Sequence, residues 1–590
     1  MSFWKIFFGS LLAFVLGSFL VMLIIVLSIA GIASSFSNDD PVGIKSNSIL
    51  SLNLNYEIPE QTTYTPFNGF SFTDFEPTIA PGVYDIVKSI EKAAEDPNIK
   101  GIYLHFGFVG LGMANTGQLR DAVINFKKSG KFVVAYSEIY TEKAYYLCSA
   151  ADKVTLNPKG IVEFNGLNAQ IIFFKKLLDK VGVQAQVFYD GKYKSATEPF
   201  RLDSMSNENT VMTSVLLKDV FDKVMKSIAD SRSINISALD SVNDNLLVQT
   251  AADAKKYGLV DEVWFEDEVR AYLRKRLDLK EDEEIEMVSL EKYINVRGKQ
   301  GDVSLSTDKI ALLFASGDIV DGKGSDDNIG SVKYATQLRK LREDDKVKAI
   351  VLRVNSPGGS ALASDVIARE VQLTAAKKPV VVSMGDYAAS GGYYISAFAT
   401  RIIAQSNTLT GSIGVFGIFP NMQKLLEQKL GITFDGVSTG KYSDFGDISR
   451  PLRDDEKMII QRGVDSIYRD FKLTVVRGRK ISPSLVDTIA QGRVWTGSQA
   501  LKFGLVDTLG GLEEAIALAS KLSNSSKYRI VEYPEVDKDI FEIIRMFRDT
   551  KETRLLKDKL GPFYSTFQEL QHIAIISGMQ ARMPLTIKIN

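Results

Sequence analysis

The stretch Glu95-Asp96-Pro97-Asn98-Ile99-Lys100-Gly101-Ile102-Tyr103-Leu104 returns 248 residues later as Glu343-Asp344-Asp345-Lys346-Val347-Lys348-Ala349-Ile350-Val351-Leu352. Tyr145-Tyr146 meets Tyr393-Tyr394 at the same offset. Gly191-Lys192-Tyr193 meets Gly440-Lys441-Tyr442 at 249, and Gly258-Leu259-Val260-Asp261 meets Gly504-Leu505-Val506-Asp507 at 246. Four landmarks in one order at a nearly fixed offset mark an internal duplication, which has to be recognised before any local structure is read. The halves run from about 46–300 and 301–535, joined through the charged stretch near Arg297–Asp308. Each opens on a β-rich run (Ile49–Leu54; Ile310–Phe314), passes through a helix to a continuous apolar strand (Ile99–Leu104; Val347–Val354), and repeats with another helix and strand (Phe132–Tyr136; Val380–Ser383). Strands alternating with helices predict an α/β fold of two tandem βαβ repeats with largely parallel sheets.

Around this repeat the composition is that of a folded protein. Of 590 residues, 45% are hydrophobic and 24% charged, which excludes disordered and collagenous chains. The formal net charge is -1, so no basic footprint offers itself to phosphates and nucleic acid is not an expected partner. Cys148 is alone and the histidines, His105 and His572, stand in unrelated contexts, so neither an intramolecular disulfide nor a multi-cysteine zinc site can be built. No phosphate loop and no His-Glu-x-x-His occurs. Chemistry without a cofactor or metal is expected.

Ahead of the repeats, Ile6–Ile32 is uncharged over 27 residues. At about 1.5 Å per residue it exceeds a hydrocarbon core of roughly 30 Å, so residues 1–45 read as a transmembrane anchor and linker. An apolar stretch of this length is longer than that of a cleavable signal. Lys5 precedes the span while Asp39 and Asp40 follow it, which places the N-terminus in the cytoplasm and the remainder outside. Behind the repeats, residues 536–590 read as a helical tail, with amphipathic helices at Ile540–Phe547 and Leu555–Ile576 suited to a neighbouring subunit.

Two turns in the second half carry chemistry. The strand ending at Val354 enters Asn355-Ser356-Pro357-Gly358-Gly359-Ser360, where a Gly-Gly turn is either a tight βα connection or a backbone N–H cradle for an oxyanion. The next strand enters Gly385-Asp386-Tyr387-Ala388-Ala389-Ser390-Gly391-Gly392. Ser390 at the start of a helix is a candidate nucleophile, although small residues there also permit close helix–strand packing. His105 at a strand end and His572 in the tail count against a Ser-His-Asp mechanism, and lysine is the other common base for serine. Lowering a lysine from about 10.4 to about 7–8 takes roughly 4 kcal/mol of differential desolvation, so the base must be buried.

The repeat nominates that lysine. Gly191-Lys192-Tyr193 continues with Lys194, whereas Gly440-Lys441-Tyr442 continues with Ser443; conversely Ser390 answers to Glu142 in the first half. Each half keeps one member of a pair, the trace expected of two copies specialised into one composite site. Independent drift at two solvated positions is the alternative.

With Gly191–Phe200, Asn355–Ser360, Ala388–Tyr394 and Thr410–Gly414 in view, the chain resembles the signal peptide peptidase A family in its long, duplicated form (protease IV). This is a branch of the superfamily of caseinolytic protease and crotonase folds. The resemblance implies two crotonase-like repeats, Ser390 as nucleophile, Lys194 as general base and Ser412 as the group that directs the lysine amine. Gly359 and Gly391 become candidates for the oxyanion hole. It further implies a homotetramer at the outer face of the cytoplasmic membrane, anchored through residues 6–32, that degrades cleaved signal peptides and other short apolar peptides. The rivals are a crotonase-like acyl-CoA enzyme and a catalytically inactive membrane scaffold.

Overall fold

A computed structural model describes residues 3–37, 43–65, 78–296, 306–535, 559–561, 578–583 and 588–589. In the first half the apolar run Ile99–His105 is a central strand whose Ile102 and Leu104 have no exposed surface. Its sheet has the order Met287–Ser289, Ser48–Leu52, Ile99–His105, Phe132–Tyr140, Lys153–Val162, Glu262–Val263, and every pairing is parallel. Strands of such a sheet are apolar throughout because helices cover both faces. Val83–Glu95 is one of these helices and buries Val83, Ile86, Val87 and Ile90, the spacing of one helical stripe.

The second half repeats the plan. From Arg529–Tyr533 the sheet runs through Lys309–Ser316, Val347–Ser356, Val380–Ala389 and Leu409–Gly411 to Val494–Thr496, and only the last pairing is antiparallel. Ile99–His105 and Val347–Ser356, the strands of the repeated stretch, hold equivalent places. Several strands outrun the apolar segments that predict them. Val380–Ala389 continues through Gly385-Asp386-Tyr387 because Tyr387–Ala389 pairs with Leu409–Gly411.

A third, mixed sheet was not expected. Its order is Asn328–Gly330, Asp318–Val320, Gly358–Ser360, Met579–Arg582, Val415–Asn421, Gln184–Asp190. Here a first-half strand crosses to the second half: Gln184–Asp190 pairs antiparallel with Val415–Asn421 from Val415↔Asp190 to Asn421↔Gln184. The backbone ladder delivers residues 191–194 into the second repeat.

The tail departs from the expected helical segment, since Met579–Arg582 and Lys588–Ile589 are strands. The helices expected at 540–547 and 555–576 lie outside the described residues, apart from 559–561, as does most of the expected junction at 297–308. The N-terminal helix runs Phe3–Ser37 and exposes Phe7, Leu12, Phe14 and Phe19. Its side chains are described only as far as Leu23. Among the described residues no helix is long and apolar enough to cross a membrane; the rest of the span expected at 6–32 falls outside the described side chains.

Candidate active site

The strand Val380–Ala389 runs straight into Ser390, which caps the short helix Gly391–Ser396. Ser390 has φ 53° and ψ −112°. A side chain in such a conformation costs about 1–3 kcal/mol and persists only where the surroundings impose it. Here Ser390 N–H donates to Gly411 O at 2.7 Å, and Ser390 O accepts from Tyr394 N–H at 2.8 Å. A sharp strand-to-helix turn of this kind presents a hydroxyl clear of its own backbone. The turn needs glycine after it, since a Cβ on Gly391 would stand 2.6 Å from Ser364 Oγ and one on Gly392 would stand 2.7 Å from Ser356 O.

Lys194 reaches this hydroxyl from the other half. Its Nζ lies 2.9 Å from Ser390 Oγ, 3.0 Å from Ser412 O and 3.1 Å from Ser412 Oγ. All three residues have no exposed surface. Burial alone drives the Lys194 amine well below its ordinary value of 10.5, because a low-dielectric site disfavours the ammonium. A neutral amine has two N–H donors and one lone pair. Donating both to Ser412 leaves the lone pair for the Ser390 proton.

The loop that seats Lys194 is one the sequence reading did not single out. Tyr193 N–H donates to Gln491 O at 2.7 Å. A Cβ on Gly492, whose φ is +75°, would stand 2.6–2.7 Å from Lys194 N, Cα and Cβ. The Gln491-Gly492-Arg493 stretch was visible in the sequence only as a glycine between polar residues, with nothing to link it to position 194.

The Gly358-Gly359 turn lies beside the nucleophile, and a Cβ on Gly358 would meet Gly391 N at 2.8 Å. The predicted residues Lys194, Ser390, Ser412, Gly359 and Gly391 are therefore gathered in one place. His105 lies elsewhere, in the first-half sheet against the rings of Tyr103 and Tyr136, each 5.4 Å away. His572 is outside the described residues. Among the described residues no group of three His, Cys, Asp or Glu side chains is placed to hold a metal ion.

A buried polar cluster fixes the two halves beneath the site. Arg353, fully buried, meets Glu60 Oε2 at 2.8 Å, Asn115 Oδ1 at 2.7 Å and Ser383 Oγ at 2.9 Å. Glu60 Oε1 accepts from Asn355 at 2.7 Å, and Asn355 Oδ1 accepts from Tyr387 N–H at 3.0 Å, so both catalytic turns hang on one carboxylate. Asp386 accepts from the Gly112, Ala114 and Asn115 N–H groups at 2.9–3.0 Å. A carboxylate from the second half thus caps the N-terminus of the first-half helix Met113–Lys127. Burial pushes that carboxyl up to about 6.

Sequence comparison accords with this arrangement. Residues 125–280 and 372–526, one segment from each half, match peptidase family S49. The chain belongs to peptidase family S49. Residues 301–408 also match Clp protease, as the second repeat carrying the Gly-Gly turn and Ser390 would. Similarity to individual proteins is extensive. The chloroplastic serine protease SPPA of Arabidopsis thaliana is 33% identical over 549 residues, 92% of this chain and 78% of that protein. Protease 4 of Haemophilus influenzae is 36% identical, covering 79% of this chain and 78% of its own length. Protease 4 of Salmonella typhi is 38% identical, covering 77% and 74%. This S49 peptidase is a serine protease with two S49 repeats in a Clp-protease-like α/β fold.

Proposed function

We propose that the chain is a membrane-anchored serine endopeptidase whose Ser390–Lys194 dyad degrades short apolar peptides, cleaved signal peptides among them, outside the cytoplasmic membrane. The observation that carries this reading is the 2.9 Å contact between a buried lysine amine and a serine hydroxyl, with no carboxylate on the amine among the described residues. Neutral Lys194 accepts the Ser390 proton as Oγ attacks the peptide carbonyl. Ser412 holds the amine in line, and the Gly359 and Gly391 N–H groups face the developing oxyanion. Lys194 then returns the proton to the departing amine, and a water, deprotonated by the same amine, releases the acyl group. The 27 uncharged residues at 6–32 support the anchor, and the exposed Leu430, Phe434, Val437 and Phe445 suit a homotetramer contact.

The deciding experiment compares hydrolysis of a short apolar peptide by the full chain and by its Ser390→Ala variant, with labelling of Ser390 by an active-site serine reagent. Hydrolysis and labelling that vanish together in the variant are expected. Hydrolysis that survives Ser390→Ala overturns the reading, and an unlabelled, inactive wild type points to the scaffold or acyl-CoA alternatives.

A further inference from the structure

Met579–Arg582 is a strand of this chain lodged between two segments of its own active site. On one side it pairs antiparallel with the catalytic turn, in the register Gly358↔Arg582, Gly359↔Ala581, Ser360↔Gln580. On the other it pairs antiparallel with the strand that follows Ser412, as Phe416↔Gln580 and Gly417↔Met579. An extended peptide read through backbone ladders on both edges is how a protein binds a peptide by β-augmentation.

The register sets one carbonyl at the chemistry. Met583 N–H donates to Pro357 O at 2.7 Å. In an antiparallel ladder, bonded and non-bonded pairs alternate, so Gly359 N–H is directed at Ala581 O. That same oxygen lies 3.0 Å from a Cβ built on Gly391, and it crowds one built on Gly358. Ala581 O therefore sits among the backbone groups of the proposed oxyanion hole. The Ala581 side chain is fully buried and Met583 nearly so, while the Met579 thioether methyl packs onto Gly463.

We propose that Met579–Met583 is an intramolecular pseudo-substrate that competes with external peptides for the groove. The proposal rests on the proteolytic reading of Ser390 and Lys194. The strand is held on both sides of the Ala581–Arg582 bond, which makes it an inhibitor instead of a consumed substrate. Arg582 pairs with Asp318 at 2.9 Å, and farther on Lys588–Ile589 pairs with Ala169–Gln170. Attack of Ser390 on Ala581 would transfer its proton through Lys194 to the Arg582 nitrogen and break the C–N bond. The anchored amine would stay at high effective concentration beside the ester, so its return, re-forming the peptide bond and restoring the Ser390 proton, outpaces water.

The test measures kcat and KM for a short apolar peptide with the full chain, with a chain lacking 578–590, and with full-length Arg582→Glu, which sets like charges against each other at Asp318. KM is expected to fall at least fivefold on truncation and two- to fivefold in Arg582→Glu, with kcat within twofold. A synthetic peptide of residues 578–590 should inhibit the truncated enzyme competitively. Unchanged KM in both variants, with hydrolysis still abolished by Ser390→Ala, overturns the pseudo-substrate and leaves the protease reading standing. If no form, truncated included, shows Ser390-dependent hydrolysis, the protease reading itself falls.

Discussion

Lys194 Nζ and Ser390 Oγ are 2.9 Å apart although 196 residues separate them in the chain. One comes from each repeat, and the amine is placed by the antiparallel pairing of Gln184–Asp190 with Val415–Asn421.

Two groups acting as the proposed dyad should show losses that do not add. Lys194→Ala and Ser390→Ala are each expected to lower kcat by about 10⁴-fold, and the double variant little further. Steady-state hydrolysis of one peptide by all three variants checks this, and a Lys194→Ala enzyme keeping a tenth of wild-type turnover would reject the base.

The buried amine also leaves a signature in stability against pH. Its native value is depressed, so between that value and about 10.4 the unfolded chain binds the extra proton and stability rises with pH. Relative to Lys194→Met, the wild type should gain ~1.4 kcal/mol per pH unit across that window and lose the gain on acidification. Urea unfolding of both proteins from pH 7 to 10 reads the slope. A difference that stays flat over the whole range would mean the amine is solvated.

Gly492→Ala should inactivate without unfolding. The added methyl would meet the Lys194 backbone at 2.6–2.7 Å, at a residue with φ +75°. Misplacing a catalytic group by about 1 Å can cost 10²-fold, so kcat should fall by about that factor while the circular dichroism spectrum is retained.

Glu60→Ala should strike stability and activity together. It strands the buried Arg353 guanidinium, a loss of about 3–5 kcal/mol. It also releases Asn355, which ties the Gly-Gly turn to Tyr387. Denaturant midpoints and kcat should both drop, whereas exposed pairs such as Lys218–Asp222 should contribute within ~1 kcal/mol when broken.

The duplication was legible because Ile99–Leu104 and Val347–Leu352 share one largely apolar pattern, interrupted in each by a lysine at the second position, as suits strands covered on both faces. Lys194 and Ser390 were legible because each is missing from the opposite repeat. The ladder that joins them was not: Gln184–Asp190 alternates too weakly to announce a partner strand 225–237 residues away in Val415–Asn421. Gly492 acts through backbone proximity, which leaves no mark on composition. Met579-Gln580-Ala581-Arg582 has neither alternation nor β-branched residues. It is a strand because two neighbouring backbones receive it, and a helical tail was the reading its surroundings invited.

The crossing of Gln184–Asp190 into the second repeat also sets an order of events. A chain emerging from the ribosome displays its amine first and its hydroxyl some two hundred residues later. The ladder that unites them needs both repeats folded. On the proposed dyad, a molecule made only as far as its first repeat cannot cut, and cutting waits until the second repeat has been made and folded.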